Sequence, residues 1–339
     1  MRQHLFACIL AMLCLLPACD VHEFPDPPLP PVELKLNLKF KLGLGILVDF
    51  KTIYIETRAV EDSATFEARY QLRFHPLLAD GSFDRDSCIA YTFNHDELEA
   101  LDFEAPLSLV PGRYHCRAWV DFVPTDSVAD HFYDTTDFDA ITLRRPYEGN
   151  TDYRDAFRGT ENFEVFLPEL MPDQTLHLEM ERPVAKYRFI ATDLKEFTEL
   201  RLKDTDGDLN AAVPPIDLTQ YKVVVSYDGF LPSIFNLTTD RPVDAITGIS
   251  FSAPLTQLTD EEVEMAFDYV LVGPQEGGVN VSLAIYDEAG KLVSAVPSMV
   301  VPLQRGQLTT VRGKFLTSRS EGAVSIDPSF EGEFNLQIP

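Results

Sequence analysis

Residue types that carry chemistry are thinly spread in this chain. Of its five cysteines, Cys8 and Cys14 lie inside an N-terminal apolar run and Cys19 closes that run. Only Cys88 and Cys116 belong to the body of the sequence. They form no C-x-x-C pair, the spacing of a redox dithiol or a zinc ligand set. In an exported chain they read as a disulfide, Cys88 to Cys116, or alternatively as two small thiols packed in a core. The seven histidines are scattered, with no pair at metal-ligand spacing. His115 and His177 fall on the polar parity of strands. Asp204-Thr205-Asp206-Gly207-Asp208 alternates carboxylates as a hard-cation site would, but it departs from the EF-hand template. Its glycine is fourth and its twelfth position is Pro215, not glutamate, so it reads as a polar turn. No G-x-S-x-G or H-E-x-x-H run occurs. No catalytic, cofactor-binding or metal-binding residue is assigned, and the chain reads as non-enzymatic.

Charge narrows the partners. Asp and Glu total 54 against 28 Lys and Arg, a formal net charge of -26. Such a field repels phosphate backbones and anionic headgroups, which excludes nucleic acid and polybasic membrane docking. The hydrophobic share of 45% is that of a chain with a packed core.

The elements that must position these residues begin with an export signal. Arg2 precedes an apolar core from Leu5 to Leu16, and Ala18 stands just before Cys19. A core this short falls below the ~20 residues of a membrane span and fits a signal-peptide h-region, assigned to residues 1–18. The 321 residues that remain suffice for about two domains. Residues 19–32 end in DVHEFPDPPLPPV, whose five prolines favour extended backbone and mark a stiff tether.

Period-two alternation then dominates. Leu34, Leu36, Leu38, Phe40, Leu42, Leu44 and Ile46 share one parity, with lysines among the residues of the other. Phe66 to Phe74, Tyr114 to Phe122, Leu176 to Met180, Tyr187 to Ala191 and Val279 to Ile285 repeat the pattern. The last leads into Asp287-Glu288-Ala289-Gly290, a hairpin turn with glycine free to take positive φ. Short helices are expected around His95–Leu101 and Asp260–Glu264. The fold class is all-β, two tandem antiparallel β-sandwich domains, with boundaries at 33–181 and 182–339. The Asp-rich segment between Phe122 and Tyr153 is expected to project from the first sandwich. Trp119, the only tryptophan, falls on the polar parity of its strand. It is predicted to be covered by that segment; left exposed, it would suit glycan stacking.

Several motifs carry a family resemblance. Leu16-Pro17-Ala18-Cys19 resembles the lipobox of bacterial lipoproteins, with Pro17 a departure, and implies lipidation of Cys19. Asp20, Glu23 and Asp26 resemble the signal that carries Bacteroidetes lipoproteins to the outer face of the outer membrane. Cys116-Arg117-Ala118-Trp119-Val120-Asp121-Phe122, Tyr153-Arg154-Asp155-Ala156-Phe157-Arg158-Gly159, Arg182-Pro183-Val184-Ala185-Lys186 and Tyr227 to Asn236 occur in that order. Together with the closing run Gly322–Ile338, they resemble the fimbrial-anchor and fimbrillin-like surface lipoproteins of Bacteroidetes. The resemblance implies transthyretin-like sandwiches, an outer-membrane location facing outward, and fimbrial subunits as partners. Those partners would join by strand exchange, an open sheet edge accepting an extended segment. Shaft subunits of that family lose their first strand by cleavage after an arginine, which here would be Arg58. Anchor members keep the strand and stay lipidated. The alternative reading is a glycan-binding, nutrient-uptake surface lipoprotein. Asp62-Ser63-Ala64, Asp126-Ser127-Val128 and Asp134-Thr135-Thr136 resemble Bacteroidetes O-glycosylation triplets.

Overall fold

The computed structural model describes residues 29–41, 66–95, 105–204, 216–318 and 334–338. Seven strands of the N-terminal half form one sheet. They are β1 (Val32–Lys41), β2 (Phe66–Pro76), β3 (Ile89–His95), β4 (Ala105–Leu109), β5 (Gly112–Pro124), β8 (Phe157–Val165) and β9 (Thr175–Glu181). Their order is β3-β2-β5-β8-β9-β1-β4. β8 and β9 meet only where Arg158 lies opposite Glu181, so the sheet folds there into two layers. At the far end the Tyr91 hydroxyl of β3 donates to the Ser108 carbonyl of β4 at 2.6 Å and draws the layers together.

Parity decides what fills the space between them. Ala68, Tyr70, Leu72 and Phe74 of β2 face Tyr114, Cys116, Ala118, Val120 and Phe122 of β5 in one buried cluster. Leu34 and Leu36 of β1 and Leu176, Leu178 and Met180 of β9 complete it from the other layer. β1 pairs antiparallel with β4 but parallel with β9, Lys35 opposite Thr175 through Lys41 opposite Glu181. Period-two alternation is blind to that direction.

The C-terminal half begins with β10 (Val184–Ala191) and helix α1 (Leu194–Asp204). It continues through β11 (Tyr221–Tyr227), β12 (Leu231–Asn236), β13 (Arg241–Ile246), β14 (Ser250–Pro254), β15 (Thr256–Gln257) and β16 (Val263–Leu271). β17 (Gly277–Asp287), β18 (Leu292–Leu303), β19 (Leu308–Gly313) and β20 (Phe334–Ile338) close it. Two sheets result, β15-β16-β10-β19-β20 and β14-β11-β17-β18. The β17–β18 turn is closed by the Gly290 N–H on the Asp287 carbonyl, with Gly290 at φ +76° as its position requires.

The Asp-rich segment does not project into solvent. It supplies β6 (Tyr133–Asp134) and β7 (Ile141–Leu143), which join β12 and β13 in a sheet ordered β13-β12-β7-β6. Ile141 lies opposite Phe235 across the two halves of the chain. Phe132, Tyr133, Phe138, Ile141 and Leu143 are buried in one cluster with the core of the C-terminal half.

Two expectations about helices change. Asp260–Glu264 is a turn, not a helix. The Thr259 hydroxyl accepts from the N–H groups of Glu261 and Glu262, and the chain then enters β16. Residues 96–101 lie outside the described residues. α1 is a helix the alternation concealed; it buries Leu194 and Phe197, three residues apart on one face.

Candidate functional site: terminal strands and the sandwich junction

Two terminal strands are the candidates for exchange, and each is held in a different way. β1 sits between β9 and β4, with Val32, Leu34 and Leu36 buried. Drawn out, it would leave a slot bordered by the edges of β4 and β9, strands that carry the buried Leu107, Leu109, Leu176 and Leu178. β20 has a single neighbour, β19, in parallel register from Thr309 opposite Phe334 to Gly313 opposite Ile338. It forms the outer edge of its sheet, so leaving it breaks one ladder and no other. Cys19, Arg58 and the end of the β1 alternation, Leu42 to Ile46, lie outside the described residues.

Between the sandwiches lies a junction of a kind alternation does not announce. Trp119 is 0% exposed. Its ring meets Tyr133 edge-on at 5.5 Å and Phe235 at 6.2 Å, so the acidic segment and the C-terminal half cover it together. The glycan-stacking role for Trp119 is thereby excluded. β5 thus feeds two cores, one from each parity.

Around the tryptophan lie buried and half-buried charged groups joined in ion pairs and hydrogen bonds. The Asp268 carboxylate accepts from the Tyr147 and Tyr227 hydroxyls at 2.6 Å each and from the Tyr269 N–H at 2.8 Å. Arg154 Nε lies 3.5 Å from it, and the guanidinium covers the Tyr147 ring at 4.0 Å. Arg182 Nε donates to both oxygens of Asp155 at 3.0 and 2.9 Å. Arg158 and Arg305 both pair with Asp240 in the β12–β13 turn, and Lys186 with Asp152 at 2.6 Å. Burial pushes the Asp268 and Asp155 carboxyls up, against the pull of Arg154 and Arg182. It holds the Tyr147, Tyr187 and Tyr227 hydroxyls protonated, well above the usual phenol range. These are groups fixed as hydrogen-bond donors and ion pairs, and the pockets lined by Asp217, Tyr221 and Asp287 and by Leu34, Phe163 and Leu176 open elsewhere. The signal for these groups was present in the Tyr153-Arg154-Asp155-Ala156-Phe157 run, where charged residues stand between aromatic ones.

The remaining residues singled out in the sequence fall apart in space. Cys88 and Cys116 are both free, which corrects the disulfide reading. Cys116 points into the first core, while Cys88 is exposed and senses the charges of Arg73 and Arg117 on the opposite face of the sheet. Burial pushes the Cys116 thiol far up and keeps it inert. His115 stacks on Phe83 at 4.6 Å and bonds Asn162, and His177 is exposed. Among the described residues no group of His, Cys, Asp and Glu is placed to hold a metal. Residues 205–210 of the acidic turn and the triplet at 62–64 lie outside them. Thr135 is buried, bonded to Asp130 beneath the Arg69–Asp121 pair, which closes that triplet to modification. Ser127 is half-buried, and its hydroxyl accepts from the Ala129 N–H.

No helix among the described residues is long and apolar enough to cross a membrane. Among solved structures the chain is similar to a Bacteroides thetaiotaomicron protein provisionally described as an adhesin. That match has 11% identity and a TM-score of 0.42, covering 80% of this chain and 81% of the other. It is also similar to a Bacteroides ovatus protein provisionally described as a cell adhesion protein, at 13% identity and a TM-score of 0.42, covering 84% and 93%. The fimbrial anchor protein Mfa2 from Porphyromonas gingivalis is similar at 14% identity and a TM-score of 0.36, covering 78% and 82%. No curated protein matches the chain in sequence. The family described as "Family of unknown function (DUF6562)" matches residues 31–339, and the chain belongs to it.

Proposed function

We propose that this protein is a non-enzymatic surface lipoprotein, anchored in the outer membrane through Cys19 and serving fimbriae as an anchor or accessory subunit. The observation that carries the reading is β20. A five-residue strand at the end of the chain closes a sheet edge through one parallel ladder. Such a strand leaves its edge, or yields it to another chain, by breaking a single ladder, which is the physical requirement of strand exchange. β1, buried in mid-layer, is the strand that an anchor keeps. The motif order of the sequence supports the same assignment.

Deletion of residues 334–338 tests it. The truncated protein folds with the wild-type thermal midpoint within a few degrees and loses co-purification with fibre material. Undiminished co-purification overturns the reading. Cys19→Ala tests the anchor separately: the variant leaves the membrane fraction, and its retention there refutes lipidation.

A further inference from the structure

The end of the N-terminal sandwich farthest from the junction gathers four chain segments. Residues 29–31 lead into β1, where Val32 lies opposite Leu109 at the start of the β4–β5 turn. The turn after β2 is tied to the same place by the Leu77 N–H on the Arg113 carbonyl at 2.8 Å. The β8–β9 loop joins them, with Val165 opposite Gly112 and the Lys35 N–H on the Gln174 carbonyl at 2.9 Å. β5 runs from Gly112 at this end to Pro124 beside the junction, 13 residues or about 40 Å.

Every one of the four segments turns a large apolar side chain to solvent. They are Leu29, Leu78, Val110, and Leu170 with Met171, and Leu170 is 73% exposed. Scattered single exposures are ordinary, but convergence of five on one end is not. The end is rimmed by the exposed carboxylates of Asp80, Glu169 and Asp173, which disfavours an anionic surface. Chain length says what meets it. Leu29 stands ten residues after Cys19, a reach of at most about 35 Å. A lipid on Cys19 therefore holds this end, and not the junction end, against the bilayer. The apolar end would add a second contact beside the one the lipid makes.

We propose that this apolar end rests on a zwitterionic lipid surface, so that the N-terminal sandwich stands on the membrane and the C-terminal sandwich is carried outward. The proposal rests on the lipidation of Cys19 in the reading above.

The test uses lipidated full-length protein with Cys88→Ser, reconstituted in phosphatidylcholine vesicles. A polarity-sensitive fluorophore is placed at Leu170→Cys or, as a control on the C-terminal sandwich, at Leu292→Cys. Lipids with a quencher near the headgroup quench the Leu170 position several-fold more than the Leu292 position. Leu170→Asp with Met171→Asp lowers the quenching of a label at Leu78→Cys by a similar factor. Equal quenching at both labelled positions, with the protein still floating with the vesicles, overturns the proposal and leaves the anchor standing. Failure of the protein to float overturns both. Shielding of the Leu170 label in detergent that grows with protein concentration marks a self-association surface and also overturns it.

Discussion

Phe235→Ala tests whether the two sandwiches share one core. Phe235 is fully buried in β12, opposite Ile141 of β7, with its ring 6.2 Å from that of Trp119. Truncating a buried phenylalanine costs about 3–5 kcal/mol, the lost transfer energy plus the cavity left behind. In a protein of this size each kcal/mol lowers Tm by about 2–4 °C, so the midpoint falls by roughly 6–20 °C. The assay follows from composition. Trp119 is the only tryptophan, so its emission reports the junction alone, while far-UV circular dichroism reports every sheet. A shared core requires the two signals to melt together in the wild type and to shift together in the variant. The reasoning is refuted if the circular dichroism midpoint falls and the Trp119 midpoint stays. Trp119 would then belong to the N-terminal sandwich only, and the β7–β12 pairing would be a surface contact.

Asp268→Asn leaves Arg154 buried without its counter-charge and should destabilise by about 3–5 kcal/mol, read from urea midpoints. Gly159→Ala should cost about 1–3 kcal/mol, because the new Cβ meets Met180 Sδ at 2.6 Å and the Glu179 carbonyl at 2.8 Å. His75 is buried, with Nδ1 3.0 Å from the Asp84 carbonyl, and burial holds its pKa below the ordinary 6.5. The unfolded chain therefore takes up the proton first, and stability falls as pH drops below about 6.5. His75→Gln should flatten that part of the profile between pH 7.5 and 5.5, and an unchanged slope would show the titration lies elsewhere. A maleimide should label Cys88 in the native protein and reach Cys116 only after unfolding; prompt labelling of both would contradict the burial of Cys116.

Strand by strand, the sequence was legible where one face meets a core and the other meets water. Phe66 to Phe74 and Tyr114 to Phe122 show the alternation and keep it in the structure. Trp119 marks the limit: its bulk predicts the cover that the Asp-rich segment supplies, but its polar parity gives no sign of the second core that it joins. Alternation records that a face is polar, and a face covered by Asp130, Thr135 and Tyr133 is polar and buried at once. The Asp-rich segment reads as an outward excursion for the same reason, since its apolar residues are spaced among carboxylates that bind Arg69 and Arg117. The parallel registers of β1 and β20 left no trace, because the side-chain period is the same in either direction. The junction ion pairs join residues far apart in the chain, such as Arg154 with Asp268, and spacing along one sequence does not pair them.

The place of β1 has a consequence for how the chain comes to its fold. Among the described strands it is the first to be made and the last of its layer to find both neighbours. Its antiparallel partner ends at Leu109 and its parallel partner at Glu181, some 140 residues after β1 closes at Lys41. Until then an alternating apolar strand is present with at least one edge open, a state exposed to wrong pairing. Contacts of such long range also slow folding. Folding of this protein is therefore a race between completing β9 and losing β1 to another chain.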